Sequence, residues 1–215
     1  MTITHHLDDT TLLAFAAGTA GEAHGIVVAA HLSMCPTCRA ALRAAERVGG
    51  GILASQPEAA VSDVCRAATL ASLDAAPARK HVPVPHGELP IALSRALGGK
   101  SLSDIKWHKK APGVAIFDVP MPKGERTHLK LLRIGIGRAM PEHGHGGEEL
   151  TLILKGSYSD HMGKFSVGDV ADLDEDIEHT PVVDSSEDCI CLVATEAPTK
   201  FKSFWARLAQ PFVGI

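Results

Sequence analysis

The segment His31-Leu-Ser-Met-Cys35-Pro-Thr-Cys38 has the residue types and the spacing of a metal site. On a helix, residues four apart share a face, so His31 and Cys35 lie together and Cys38 lies nearly one turn further on. Structural zinc is held tetrahedrally by four Cys and His side chains. The segment therefore predicts three of the four ligands of a zinc ion.

The fourth ligand must come from elsewhere in the chain, and the nearby candidates are His5, His6 and His24. We select His6. Two alternatives are weaker: a pair of buried cysteines beside a surface histidine, and a redox Cys-x-x-Cys motif of the thioredoxin type. The redox motif should follow a strand of a βαβ unit, and the sequence shows no such unit.

A second group of ligand-type residues lies in the C-terminal half of the chain. His143 and His145 are two apart, so in a strand both point to the same side. Gly146-Gly147 allow a turn that brings Glu149 back towards them. The stretch from Gly137 to Gly156 resembles the first motif of the cupin family at every fixed position.

The resemblance to cupins implies a small β-barrel with a His3Glu metal site inside it, which the remote His179 completes. The second cupin motif keeps the spacing from Gly168 to His179, although Asp174, Asp176 and Val183 replace the family's Pro, Gly and Asn. Three imidazoles and one carboxylate suit zinc, iron, manganese or nickel. We expect zinc in this second site as well.

Cupins include oxygenases, because four protein ligands can still leave coordination positions open on a metal. The sequence shows no second set of catalytic residues with a clear role, so we expect no enzyme. The acidic run from Asp169 to Glu178 could bias the site towards cations, but we interpret it as a solvated turn. Cys189 and Cys191 form either a redox-sensing pair or, as we favour, ordinary buried thiols.

Helices must position the first group of ligands. Apolar residues recur at helical spacing from Leu7 to Glu46, and the stretch from Gly18 to Gly21 interrupts them. The pattern predicts a short helical bundle, within a domain of residues 1–76. A domain of that size has a small core and commonly needs a staple such as a metal.

The end of this bundle is marked by glycine and proline. Gly49-Gly50-Gly51 and Pro57 predict a flexible stop. Ser62 and Asp63 then predict the N-cap of one more helix, which ends at about Leu73. The bundle has four helices at most.

Residues 77–90 hold four prolines in fourteen residues and predict an extended linker between two domains. Short β-like runs separated by Gly, Pro and Asp follow, which is typical of a β-sandwich or barrel, and we assign residues 91–196 to the cupin domain. Residues 197–215 carry apolar side chains at helical spacing and predict a C-terminal helix or tail. The β-like runs are Gly113–Val119, His128–Gly135, Glu149–Leu154, Gly156–His161, Val170–Leu173 and Asp188–Thr195.

The composition of the 215 residues, 45% hydrophobic and 21% charged, predicts folded protein over most of the length. The net charge is −4 and neither half is basic, so we expect no direct binding to nucleic acid. The N-terminus has no positive segment before an apolar core, and no stretch reaches the ~20 apolar residues of a membrane span. We expect a cytoplasmic protein, whose five cysteines are ligands or reactive thiols rather than disulfides.

The pattern of His6, His31, Cys35 and Cys38 on helices resembles the zinc-binding anti-sigma domain of bacteria. Such a domain followed by a cupin is similar to the ChrR family. This resemblance implies a single extracytoplasmic-function sigma factor as the partner, bound 1:1, and singlet oxygen as the signal for release. It also implies two complete ligand sets: His6, His31, Cys35, Cys38 and His143, His145, Glu149, His179.

Three classes of function stay open: an anti-sigma regulator, a cupin oxygenase with a helical appendage, and a metal-dependent scaffold without a sensory role. We favour the regulator. The helices of residues 1–76 should occupy the partner's surface, and the barrel should hold the group that responds to the signal. Inhibition should then survive without the barrel, whereas release should not.

Overall fold

The N-terminal part of the protein is helical, as the sequence predicts. The computed structural model describes residues 2–75, 89–197 and 200–201. Most of the predicted linker 77–90 and of the predicted tail 197–215 lies outside these residues. The helices are α1 (Asp9–Ala16), α2 (Glu22–Met34), α3 (Pro36–Ala54), α4 (Asp63–Ala75) and α5 (Ile91–Ala96), and a 3-10 turn follows at Leu102–Asp104.

A sharp corner separates α2 from α3, and it corrects the prediction that His31, Cys35 and Cys38 follow one another on a single helix. The two helices meet at 119°. Pro36 cannot donate the hydrogen bond that would continue α2, but its fixed φ suits the first position of α3. Cys35 caps α3, because its Sγ accepts the N–H of Cys38 at 3.4 Å.

The predicted stop at Gly49-Gly50-Gly51 is wrong, because α3 continues through the glycines to Ala54. Each glycine costs a helix about 1 kcal/mol relative to alanine, which weakens the end of a long helix without forbidding it. The predicted N-cap at Ser62 is confirmed, since its Oγ accepts the N–H of Cys65 at 3.2 Å. No single helix of the described residues is long and apolar enough to cross a membrane, although α2 and α3 pass that test as a bent pair.

The second half of the chain is antiparallel β-structure, as predicted. A six-stranded sheet has the order β1-β2-β3-β11-β5-β8, and two three-stranded sheets have the orders β10-β6-β7 and β12-β4-β9. All six predicted β-runs are strands, whereas the shorter strands were missed. The strands are β1 (His108–Ala111), β2 (Val114–Asp118), β3 (His128–Ile134), β4 (His143–Gly144), β5 (Glu149–Lys155), β6 (Ser157–Asp160), β7 (Gly163–Ser166), β8 (Val170–Leu173), β9 (Glu178–His179), β10 (Val182–Val183), β11 (Cys189–Thr195) and β12 (Lys200–Phe201).

The central strand β11 faces two different cores. Side chains of a strand alternate between its faces, so Cys189 and Cys191 point into the core between the sheets, with Tyr158 and Phe165. Leu192 and Ala194 point the other way, into a core that they share with α2. The helical part and the barrel are thus packed together around common buried residues.

Candidate metal centres

The four ligand-type residues of the N-terminal half come together at the corner between α2 and α3. One donor atom from each of His6, His31, Cys35 and Cys38 lies within 4.8 Å of the other three. The Nδ1 of His6 is 3.3 Å from the Sγ of Cys35 and 3.6 Å from that of Cys38. The Nε2 of His31 is 3.2 Å from the Sγ of Cys38. The corner supplies the convergence that one straight helix would not.

The outer nitrogen of His31 fixes the state of its ring. Its Nδ1 lies 2.9 Å from the carbonyl oxygen of Gly168, which can only accept, so Nδ1 carries the proton. The lone pair on Nε2 then faces the two cysteines. Burial is the main reason that the pKa of His31 falls to about 4, and a neutral imidazole is the form that binds a metal.

The two cysteines are almost completely buried. Burial is the main cause that raises the pKa of the Cys38 thiol to about 11, and the neighbouring Cys35 adds to the rise. A raised pKa favours the protonated thiol, whereas a bound divalent cation favours the thiolate, because it stabilises that form directly. Two thiols and two imidazoles at these separations fit tetrahedral zinc.

The second ligand group lies between the sheets of the barrel. His143 on β4 pairs with His179 on β9, and Glu149 begins β5. One donor atom from each of His143, His145, Glu149 and His179 lies within 4.8 Å of the other three, and all four residues are buried. The Nε2 atoms of His143 and His179 are 3.1 Å apart.

Hydrogen bonds on the outer side of this cluster explain why it fits a cation. The Nδ1 of His143 donates to the carbonyl oxygen of Pro141 at 2.8 Å, and the Nδ1 of His179 donates to Asp160 at 2.9 Å. Both Nε2 atoms therefore present lone pairs to each other, an arrangement that a bound cation turns from repulsive to favourable. Within the described residues the buried Nε2 of His145 has no hydrogen-bond partner.

The electrostatics of the barrel cluster favour the metal-binding forms of its side chains. Burial is the main cause that lowers the pKa of His143 and of His179, so both rings are neutral. Burial raises the pKa of Glu149, but the hydrogen bond to His145 and the electrostatic interactions with the neighbouring imidazoles outweigh it and lower that pKa overall. Thr151 donates to the other carboxylate oxygen of Glu149 at 3.1 Å.

The sequence predictions selected the eight residues of both clusters but missed the residues that support them. Asp160 and Gly168 hold the outer nitrogens of two histidines, and the first shows no spacing signal in the sequence. The rejected candidate His5 stacks on Phe165, with ring centroids 3.9 Å apart. Cys189 and Cys191 are buried with their Sγ atoms 3.6 Å apart.

Comparison with known proteins decides the family. A model of the ChrR cupin-like domain matches residues 99–198. Over 220 aligned positions the chain is 42% identical to the anti-sigma-E factor ChrR of Cereibacter sphaeroides, and the match covers 100% of both proteins. The chain belongs to the ChrR family of anti-sigma factors. The predicted combination of N-terminal helices and a cupin-like domain is confirmed.

A solved structure of a complex that contains ChrR agrees with membership of the ChrR family. A chain in the crystal structure of Rhodobacter sphaeroides SigE in complex with the anti-sigma ChrR matches with a TM-score of 0.75 and 39% identity, over 90% of this chain and 99% of that chain. An RmlC-like cupin from Ralstonia eutropha matches with a TM-score of 0.43 and 18% identity, over 53% and 83%. The first match spans both the helical part and the barrel.

Proposed function

We propose that this ChrR-family protein binds one extracytoplasmic-function sigma factor in a 1:1 complex, withholds it from transcription, and releases it under oxidative stress caused by singlet oxygen. The solved complex of SigE with ChrR supports the class of partner. Because the sigma factor works on DNA in the cytoplasm, we place the protein there too. The two matches that cover most of the chain are to the anti-sigma factor ChrR, and they give the oxygenase alternative no support.

The observation that carries the proposal is an uncovered apolar face, which we call the α3–α4 face. Every residue from 46 to 73 is exposed to solvent. Several large apolar side chains left exposed along one stretch of chain are costly in water and are typical of a protein-binding surface. The face consists of Val48, Ile52, Leu53, Val61, Val64, Leu70 and Leu73.

Zinc in the His6, His31, Cys35, Cys38 cluster would act as a structural staple. It would fix the corner from which α3 leads to the exposed face. Zinc is also our choice for the His143, His145, Glu149, His179 cluster, where it would supply a Lewis-acidic centre. The three buried histidines and Glu149 bring four ligand atoms within 4.8 Å of one another inside the barrel.

The test of the function uses the full-length protein co-expressed with a sigma factor encoded in the same genome. We expect a 1:1 complex by native mass and no transcription from the sigma-dependent promoter in the dark. Illumination with a singlet-oxygen photosensitiser should restore transcription. Absence of a stable complex would refute the anti-sigma proposal.

The role of the barrel cluster is tested in the same assay. His143→Ala should bind the sigma factor but fail to release it on illumination, because the group that responds to the signal is incomplete. His161→Ala is the matched control, since this exposed histidine lies outside both clusters. Normal release by His143→Ala would show that the signal is received elsewhere.

A further inference from the structure

The chain around His6 is held by two carboxylates of the barrel. The N–H groups of Thr4 and His5 donate to Oδ1 of Asp169, at 2.6 and 3.0 Å. On the other side of His6, the N–H of Asp8 donates to Oδ2 of Asp172 at 3.0 Å. The first ligand of the N-terminal cluster therefore sits in a segment that the barrel fixes on both sides.

Asp169 is itself firmly placed. Its side chain is only 2% exposed, and its Oδ2 accepts the N–H of Ser166 at 2.8 Å. Burial raises the pKa of Asp169, but the N–H donors of His5, Ser166 and Thr4 outweigh it and hold that pKa below its usual range. Asp169 is therefore an ionised, buried acceptor, whereas its acidic run was predicted to be a solvated turn.

The same turn also touches the second histidine ligand. Gly168 has a φ of +91°, and a Cβ there would lie 2.9 Å from the side chain of Ile3. Its carbonyl oxygen accepts the proton of His31 Nδ1 at 2.9 Å. Residues 166–169 thus contact the His31 ring directly and the His6 segment through its backbone.

A line of stacked rings leads from this segment into the barrel core. The ring of His5 stacks on Phe165 at 3.9 Å between centroids, and Phe165 stacks on Tyr158 at 4.9 Å. Phe165 and Tyr158 belong to the core between the sheets, together with Cys191. A shift in that core would move the turn that supports both histidine ligands.

We propose that Asp169 is a positioning residue for the N-terminal metal site, and that the turn of residues 166–169 couples that site to the barrel. This inference rests on the proposed metal binding by His6, His31, Cys35 and Cys38. Asp169 acts through His6 by fixing the backbone before it, and Gly168 acts through His31.

The test uses the full-length protein loaded with cobalt(II), titrated against a competing chelator. Cobalt bound to thiolate has a charge-transfer absorption that the His3Glu cluster, which contains no cysteine, does not give. Asp169→Ala should lower cobalt affinity at the thiolate site by about ten- to a hundredfold, which is the size of the loss of one hydrogen bond to a charged group. Asp184→Ala is the control, because this exposed carboxylate accepts from Ser157 and Ser159 of the barrel, away from the N-terminal segment, and its loss should leave the affinity unchanged.

A second variant removes the donor instead of the acceptor and leaves the barrel sequence intact. Thr4→Pro deletes both the N–H and the hydroxyl that Thr4 donates to Asp169, and it should weaken cobalt binding by about tenfold or more, since one hydrogen bond to a charged group is worth about tenfold. Thr2→Pro, two residues earlier, is its control and should bind like the wild type. Hydrogen exchange of the amides of residues 5–8 should be faster in Thr4→Pro and Asp169→Ala, even without metal.

The outcomes separate this inference from the proposed metal site. A wild-type protein without any thiolate–cobalt absorption would refute the metal site itself. Wild-type absorption with equal affinity in Asp169→Ala, Thr4→Pro and their controls would overturn the positioning role of Asp169. Should Asp169→Ala not fold, Thr4→Pro alone decides between the two results.

Discussion

Replacing Leu70 on α4 with aspartate should abolish tight binding of the sigma factor without affecting the fold. Leu70 is 54% exposed, so about half of its apolar surface is left for a partner to bury. Fully burying a leucine side chain is worth about 1.5–3 kcal/mol, so the lost contact amounts to roughly 1 kcal/mol. An aspartate in its place must also lose water without a partner, which costs roughly 1–3 kcal/mol more.

The sum, about 2–4 kcal/mol, corresponds to a rise in the dissociation constant of roughly thirty- to a thousandfold. Leu70→Gln separates the loss of the apolar contact from the effect of the negative charge, because glutamine is uncharged and is a good helix former. It should weaken binding by about fivefold only. Isothermal titration calorimetry with the purified sigma factor measures all variants.

The matched control is Ile136→Asp, which places the same charge at an apolar residue of similar exposure, 58%, on the barrel. It should bind the sigma factor like the wild type. Both aspartate variants should keep the melting temperature of the wild type, since neither side chain is part of a core. Equal affinity of Leu70→Asp and Ile136→Asp would refute the α3–α4 face as the binding surface.

Three further predictions concern the metal sites and the barrel. Purified protein should contain two metal equivalents per chain by elemental analysis, and His143→Ala should retain one. Cys35→Ser should lose a metal and sigma binding together because a small helical domain depends on its metal for folding, whereas Cys65→Ser, at an exposed cysteine, should lose neither. Gly156→Ala should lower the melting temperature more than Gly137→Ala. Both glycines have φ near +67°, so alanine at either position introduces a backbone strain of roughly 1–2 kcal/mol. Only the Cβ at 156 would also clash with the backbone, 2.9 Å from the carbonyl oxygen of Asp188, and that clash adds roughly 1–3 kcal/mol. Equal melting temperatures for the two glycine variants would contradict that difference.

The sequence allowed most of both ligand sets to be predicted from local spacing typical of their families, whereas His6 had to be selected from three nearby histidines. His31, Cys35 and Cys38 lie within eight residues, and the barrel residues fall within two short motifs. The geometry of the first set was predicted less well. The corner at Pro36 was overlooked, although proline just after a helix and at the start of the next has a clear physical meaning.

The support of the N-terminal site by the barrel was beyond sequence reasoning. Asp169 is 165 residues from Thr4, and such a contact depends on how α2 packs against the six-stranded sheet. A single sequence presents Asp169 as one member of an acidic run. Only the packing distinguishes it from Asp174, which remains exposed.

The core that α2 shares with β11 has a consequence for synthesis of the protein on the ribosome. Val27 and Val28 are fully buried in that core, yet β11 is translated more than 150 residues after α2. At translation rates of about 5–20 residues per second, the apolar side of α2 waits roughly 10–30 s for the strand that covers it. During that interval the nascent helices expose two apolar surfaces, one awaiting β11 and the other awaiting the sigma factor.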